Sequence, residues 1–283
     1  MTLSGLWDSE WVSHWGNHWQ TPFNLPLTGT PVDPDANAYI VAVKAAGATL
    51  TAADETAIDT LFKGAKADGW YDKVVDMWFL VYGLAAPNAI GIKLTTGTFG
   101  GAGWTYGANY VQGNGSTDFF NTTIVPYDAG LTSSSCGLAF SSHEDAAYSG
   151  IDMGRNDTTV PNKLRISSSS DDSEMFFSHG EDFSRAYTGA RTGVFFGNRT
   201  ATVVEIYRGT DPIISATGVP LAPEPPDDSR PVYGAAMLHG SNPYAESSRK
   251  YNMFAVTKGM TRPQAVAYTG STETLLKVLG VPL

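Results

Sequence analysis

Two histidines near the start of the chain have the spacing of metal ligands on a helix. His14 and His18 stand four residues apart, and Glu10 precedes His14 by one turn. Residues four apart lie on one face of an α-helix, so the two imidazoles could bind one ion. Stacking of the two rings explains the spacing equally well, because no residue is identifiable that would orient them as ligands. We therefore predict no metal site here, and a structural calcium ion has no clear motif anywhere in the chain.

Acidic residues cluster at three places, all within sequences typical of turns. These are Glu144-Asp145, Asp171-Asp172-Ser173-Glu174 and Glu181-Asp182. A retaining glycosidase on a β-sandwich places two carboxylates about 5–5.5 Å apart across the sugar. An E-x-D-x-x-E strand would provide them, and the sequence contains none. We therefore predict solvated surface groups, no catalytic residues and no enzyme activity, with glycan hydrolysis as the alternative.

A short His-acidic pattern occurs twice, in His143-Glu144-Asp145 and His179-Gly180-Glu181-Asp182. Each copy follows an apolar segment and serines, so the spacing leaves a Ser–His–Asp hydrolase open. The sequence has no G-x-S-x-G motif, and polar loops explain both copies more simply. The single cysteine, Cys136, is predicted to be a small buried hydrophobic residue, since no His–Asp pattern near it would activate a thiol.

Several predicted loops contain the residue types with which lectins bind sugars, namely aromatic rings, Asn and Asp. They surround Tyr148, Asp152, Asn156, Asp157 and Tyr187. Ordinary turns have a similar composition, so the sequence leaves the ligand-binding residues unknown.

Four tryptophans, Trp7, Trp11, Trp15 and Trp19, recur every four residues and would form one aromatic stripe on a helix. Gly16 and the prolines that follow favour a short helix or an extended arm over residues 1–36. Such an arm is too small to bury its own indoles. The tryptophans either pack on the body of the same chain or anchor it to a neighbouring subunit, and we predict the anchoring role.

Residues 37–94 are predicted to form a small helical module. Apolar residues at helical spacing indicate one helix ending at Gly47 and a second that Thr51 opens and Lys66-Ala67-Asp68-Gly69 closes. Trp70–Val81 predicts a third helix, because its large apolar residues fall on one helical face.

Residues 95–283 are predicted to form a β-sandwich with a C-terminal helix, because short apolar runs alternate with Gly, Asn, Asp and Ser turns. Thr261 with Gln264 forms a capping box that opens the helix, and a last helical run follows from Thr274 to Leu279. Candidate strands are Ala89–Leu94, Trp104–Val111, Phe119–Thr123, Ser135–Phe140, Ala147–Met153, Lys163–Ser167, Glu174–Phe177, Gly193–Asn198, Thr202–Arg208, Asp211–Ala216, Val232–Leu238 and Lys250–Thr257.

The composition excludes several classes of partner. A formal net charge of −10 opposes binding to nucleic acid or to an anionic membrane surface, both of which require clustered Lys and Arg. Apolar runs fall short of the roughly 18 residues of a membrane span, and the first residues lack the pattern of a secretory signal. A single cysteine allows no intrachain disulfide. We therefore expect synthesis in a bacterial cytoplasm and no membrane insertion.

Two stretches resemble virion proteins of tailed bacteriophages. The text NAYIVAVKAAGATLTAADETAIDTLFKGAKADGWYDKVVDMWFLVYGLAAPNAIGIKL, residues 37–94, is similar to a module in which a helix pair ends in a Gly-Trp turn and an aromatic helix. In those proteins the module leads into a concanavalin A-like lectin/glucanase sandwich that closes like YNMFAVTKGMTRPQAVAYTGSTETLLKVLG. Relatives often continue into a Pro-Phe-Gly-Gly-type turn followed by His, where this chain has Phe79–Gly83 and then Pro87-Asn88.

The resemblance implies a mainly β, concanavalin A-like jelly-roll sandwich in a non-enzymatic virion component. Capsid decoration, collar and tail or fibre proteins are the positions it implies, with other virion proteins as partners. A homo-oligomer, preferably a trimer, is expected because symmetric assembly supplies partners for the Trp-rich arm. A host surface glycan is the expected ligand of the alternative function, host attachment.

Overall fold

The computed structural model describes residues 32–145, 150–156, 163–168, 174–179, 184–186, 189–221, 230–239, 242–244 and 246–283. Within this part, Asp33–Leu283 forms one compact unit. The predicted anchoring residues Trp7, Trp11, Trp15 and Trp19, and the histidines His14 and His18, lie outside the described residues.

The helices are α1 (Pro34–Ala45), α2 (Ala52–Ala67), α3 (Ala85–Asn88) and α4 (Arg262–Val278). The caps that the sequence indicated are present at α2 and α4, where Thr51 pairs with Asp54 and Thr261 with Gln264. The prediction of the first two helices and of the C-terminal helix is confirmed. α4 is one continuous helix, and the Ser271 hydroxyl within it donates to the carbonyl of Ala267 at 2.6 Å.

The third predicted helix is wrong. After a 3-10 turn, Tyr71–Lys73, the segment Val74–Phe79 is strand β1, which pairs antiparallel with the last strand of the chain. Nearly all of β1 is buried. A strand buried on both faces has apolar residues throughout and no alternation, so its large side chains match a helical period as well as a strand.

The strands form two sheets. The strands after β1 are β2 Thr98–Gly100, β3 Thr105–Gly107, β4 Tyr110–Gln112, β5 Phe119–Asn121, β6 Ser135–Ser142, β7 Met153–Asn156, β8 Lys163–Ser168, β9 Glu174–His179, β10 Ser184–Ala186, β11 Gly193–Thr200, β12 Val203–Arg208, β13 Asp211–Ala216, β14 Tyr233–Gly234, β15 Met237–His239, β16 Asn242–Tyr244 and β17 Lys250–Thr257. The first sheet has the order β13-β12-β11-β6-β17-β4-β3, with β1 also paired to β17. The second sheet has the order β10-β9-β8-β7-β14-β5-β2, with β15 paired to β7 and β16.

Several of the candidate strands require correction. Val232–Leu238 is divided into β14 and β15, and Met153 is the one described residue of Ala147–Met153 that lies in a strand, β7. Ala89–Leu94 forms isolated bridges and a turn, because the Asp76 carboxylate binds the backbone amides of Lys93 and Thr95. Trp104–Val111 is a hairpin of β3 and β4. The candidates Asp211–Ala216 and Lys250–Thr257 coincide with β13 and β17.

The main core lies between the two sheets and is rich in aromatic rings. Phe254 of the first sheet stacks on Phe120 of the second with ring centroids 5.8 Å apart, and Trp78 of β1 packs edge-on against Phe120 with centroids 5.5 Å apart. Cys136 is buried in this core, as predicted.

The other face of the first sheet is covered by helix. α4 packs against β11, β12 and α2. The centroid of the Tyr268 ring of α4 lies 4.9 Å from that of Phe196 and 5.2 Å from that of Trp70. β1 is thus enclosed between the sandwich core and the helices.

Candidate functional site

A buried ion pair joins the two sheets at the end of the sandwich where β17 begins. Arg249 directly precedes β17, and its Nε donates to Asp152 Oδ1 at 3.0 Å. The two side chains are 1% and 2% exposed. Arg249 Nη2 also donates to the carbonyl of Ser168 at 2.8 Å. Because Asp152 precedes β7 and Ser168 ends β8, one guanidinium group connects the first sheet to two strands of the second.

The remaining acceptors of Asp152 are also occupied. The Tyr251 hydroxyl donates to Oδ1 at 2.6 Å, and the backbone amide of Ser168 donates to Oδ2 at 2.7 Å. Burial, and then the negative charge of Asp152, raise the pKa of the Tyr251 hydroxyl well above its ordinary value, so the phenol stays a neutral donor. Asp152 therefore holds strands in place and has no oxygen left for a ligand.

Outward from this ion pair lies a half-exposed group that we call the end patch, consisting of Tyr110, His143, Glu144 and Lys250. Tyr110 starts β4, Lys250 starts β17, and His143 and Glu144 follow β6. These three strands are neighbours in the first sheet, which brings residues distant in the sequence to one end of the sandwich.

Glu144 and Lys250 form the charged half of the end patch. Lys250 Nζ lies 2.7 Å from Glu144 Oε1, and the Lys250 backbone amide donates to Glu144 Oε2 at 3.3 Å. The same ammonium lies 5.2 Å from the centroid of the Tyr110 ring. Since the pair has no net charge, the end patch combines a cation and an anion beside an aromatic ring without attracting ions of one sign.

His143 forms the neutral half. Its Nδ1 lies 2.9 Å from Asn252 Nδ2, and the same amide nitrogen donates to the Asn109 carbonyl at 2.6 Å. Nδ1 must accept from an amide N–H, which leaves the ring proton on Nε2 as a donor. Burial lowers the pKa of His143, and the Lys250 charge lowers it further. The ring centroid lies 5.3 Å from that of Tyr110.

The lowered pKa of His143 predicts a pH dependence of stability. In the unfolded chain a histidine binds a proton near its ordinary pKa of about 6.5, whereas the folded ring resists protonation. The contribution of His143 should therefore be complete above that pH and decrease as the pH falls through the lower folded value. Urea unfolding of wild type and His143→Gln at pH 7.5, 6.0 and 5.0 should show their stability difference shrinking with acidity.

The exposed His239 supplies the control for this experiment. His239→Gln should lose stability with acidity as the wild type does. Equal acid sensitivity of the wild type and His143→Gln would contradict the role given to His143.

Of the residues that the sequence singled out, the structure brings one His-acidic motif into the end patch. Of the second copy only His179, the last residue of β9, is described; residues 180–183 lie outside the described part, as do Tyr148, Asp157 and Tyr187. Asn156 ends β7. Sequence reasoning missed Tyr110, Arg249 and Lys250. The two adjacent cations at the start of an apolar strand were the available signal, because they are unusual in so acidic a chain.

Other buried carboxylates have structural partners. Tyr207 donates to Glu205 at 2.5 Å, but both side chains are buried and Tyr207 packs against Phe196 beneath α4. Asp118 accepts the backbone amides of Gly103 and Asn114. Neither carboxylate is placed to meet a substrate.

Within the described part of the chain, no three His, Cys, Asp or Glu side chains come close enough together to hold a metal ion. No helix of this part is long and apolar enough to cross a membrane.

Comparison with known proteins shows a similarity of fold and assigns the chain to no family. No family model matches the chain, and no curated protein matches it. A Trypanosoma rangeli sialidase in complex with sialic acid has a TM-score of 0.50 at 10% identity, over 77% of this chain and 39% of the sialidase. The chain therefore spans about two fifths of that protein.

Two smaller domains align over almost their whole length. Domain 4 of AbnA, an extracellular arabinanase from Geobacillus stearothermophilus in complex with arabinotriose, has a TM-score of 0.46 and 11% identity, over 70% of this chain and 98% of the domain. The CBM40 of the Ruminococcus gnavus IT-sialidase has a TM-score of 0.40 and 8% identity, over 62% and 99%. At these identities a likeness concerns the fold alone, and the predicted mainly β sandwich is confirmed.

Proposed function

We propose that this chain is a non-enzymatic glycan-binding protein that holds its ligand at the end patch. The observation that carries the proposal is a half-exposed Tyr110 ring bordered by the Glu144–Lys250 pair and by the neutral His143.

The chemistry of this group suits sugar hydroxyls. Each hydroxyl both donates and accepts, and the end patch supplies acceptors on Glu144 and donors on Lys250 and His143. The apolar face of a sugar ring can pack on Tyr110, as in other shallow binding sites with an aromatic wall. Because Glu144 neutralises Lys250, a neutral glycan fits better than a phosphate or another polyanion.

The same geometry supports binding without hydrolysis. A glycosidase of the common type requires two carboxyl groups on either side of the bond to be cleaved. Near Glu144, Asp152 is enclosed by Arg249 and Tyr251, and Asp145 accepts the backbone amide of Arg191 at 2.7 Å. The buried Asp152 therefore cannot act with Glu144 as a second catalytic carboxylate.

We place this activity on the particle of a tailed phage, as a homo-oligomer that its Trp-rich arm anchors. The support is the resemblance of residues 37–94 to a virion module, whose aromatic helix is replaced here by β1. Mass spectrometry of purified particles should find the chain among the structural proteins, and its absence beside the others would contradict this setting.

The test of glycan binding uses an array of neutral oligosaccharides of one to six hexose or pentose units. Wild type should bind at least one of them, and Tyr110→Ala should weaken that binding about tenfold or more, equivalent to about 1.4 kcal/mol. Binding should be unaccompanied by the release of new reducing ends.

Tyr127→Ala is the matched control, since Tyr127 is 51% exposed and lies outside the end patch. It should bind like wild type, and both variants should keep the wild-type melting temperature within a few degrees. A wild type that binds no sugar on the array, or a Tyr127→Ala loss equal to that of Tyr110→Ala, would overturn the proposal.

A further inference from the structure

A cleft of about 420 Å³ opens beside the end patch. Thr49 of the loop between α1 and α2 and Asp54 in the first turn of α2 line one part of the cleft. Tyr82 after β1, Ala108 of the β3–β4 turn and Leu279 at the end of α4 line the rest. This volume falls within the range of about 300–1,000 Å³ that is usual for small-molecule sites.

The cleft wall combines polar groups with apolar side chains. Asp54 Oδ2 accepts the backbone amide and hydroxyl of Thr51 at 2.7 and 2.8 Å, and nothing in the described residues binds its Oδ1. The Tyr82 hydroxyl lies 2.8 Å from that of Tyr39, whose side chain is fully buried. Tyr82 lines the cleft, and a phenol oxygen with one hydrogen-bond partner has capacity for another. A carboxylate acceptor and a phenol between aliphatic side chains match the polar edge and apolar face of a sugar.

The cleft and the end patch lie on either side of one residue. Ala108 lines the cleft and Tyr110 belongs to the end patch, so their Cα atoms are at most about 7 Å apart. Asn109 between them is fixed at both ends. Its side chain donates to the Gly280 carbonyl at 2.7 Å, and its own carbonyl accepts from Asn252 at 2.6 Å.

We infer that the end patch and the cleft are two subsites of one binding site, and that its ligand is a neutral oligosaccharide of at least two units. This rests on the proposed function. A single sugar occupies one subsite, whereas a chain crosses the Asn109 turn and gains contacts with Asp54 and Tyr82. The structure thereby assigns a ligand length, and a recognition role to the first turn of α2 and the segment after β1.

The experiment measures dissociation constants by titration calorimetry with glucose, galactose, mannose, rhamnose and arabinose and with their homo-oligomers of two to four units. For a sugar that binds, the trimer should bind at least tenfold more tightly than the monomer. Tyr82→Phe and Asp54→Asn should each remove most of this gain and leave the monomer affinity unchanged. Tyr110→Ala should weaken both.

Tyr127→Phe and Asp72→Asn are matched controls, because both wild-type side chains are exposed and outside the cleft. If Tyr82→Phe is unstable through the loss of the Tyr39 partner, Asp54→Asn decides alone. Equal monomer and trimer affinities, or cleft variants that bind trimers like wild type, would overturn the two-subsite inference and leave the end patch in place. Failure of every sugar to bind would overturn both.

Discussion

Replacing Arg249 with alanine is expected to lower the free energy of unfolding by about 3–5 kcal/mol. The substitution removes the cation that faces Asp152 and leaves its carboxylate, 2% exposed, as an unpaired charge between the sheets. It also removes the donor to the Ser168 carbonyl. Breaking a buried pair costs far more than the pair contributes relative to apolar residues, because the remaining charge is still desolvated. Urea unfolding at pH 7 measures the loss.

Lys250→Ala is the control in the neighbouring position. Its ion pair with Glu144 is partly exposed, 28% and 20% for the two side chains, and should cost about 0.2–1 kcal/mol. A loss for Arg249→Ala no larger than that for Lys250→Ala would contradict the view that Arg249 joins the sheets. Where Arg249→Ala still folds, weaker glycan binding should accompany its lower stability, since Arg249 positions the adjacent Lys250.

Replacing Asp76 with alanine is expected to cost at least about 3 kcal/mol. Asp76 is fully buried at a bulge in β1, and its carboxylate accepts the amides of Met77 at 2.7 Å, Lys93 at 3.0 Å and Thr95 at 3.1 Å. Alanine leaves three backbone donors without a partner, each worth about 1–3 kcal/mol when buried. The loop after α3 should loosen, which faster amide exchange of Lys93 and Thr95 would report.

Asp76→Asn removes only part of the hydrogen bonding that Asp76→Ala removes. The amide oxygen can still accept from Met77 and Lys93, while the amide nitrogen faces the Thr95 donor, so the loss should be intermediate. Asp72→Asn, at an exposed site close by, should change stability by less than about 0.5 kcal/mol. If Asp76→Ala proved as mild as Asp72→Asn, the carboxylate would not be what holds this loop.

The sequence was informative wherever structure depends on neighbours along the chain. The helix start at Thr261 was readable because the cap and its partner Gln264 stand three residues apart. The start at Thr51 was readable from the threonine itself, while its partner Asp54 became apparent in the structure. The strand β1 was misread because its environment is supplied by β17 and by α4, which are far away in the sequence. Apolar periodicity reports which faces are buried, and a segment buried on all sides gives an ambiguous period.

The candidate site, too, was predictable only where its residues are neighbours along the chain. The pair His143-Glu144 stood out as a motif, but its ordinary reading as a polar loop could be revised only once Tyr110 and Lys250 were placed beside it. Asp152 was considered as a sugar ligand from its residue type. Its partner Arg249 lies 97 residues away, and no local pattern indicates that the two side chains neutralise each other in the interior.

The position of β17 has a consequence for how the protein is made. The last strand of the chain, residues 250–257, pairs with β6 on one side and with β1 and β4 on the other. At a synthesis rate of about 5–20 residues per second, roughly ten seconds or more pass between the synthesis of β1 and that of β17. Until then the backbone N–H and C=O groups along one edge of β1 and one edge of β6 lack their β17 partners, and these edges can pair wrongly with other strands. The nascent chain therefore completes its first sheet only after residue 257 has been translated.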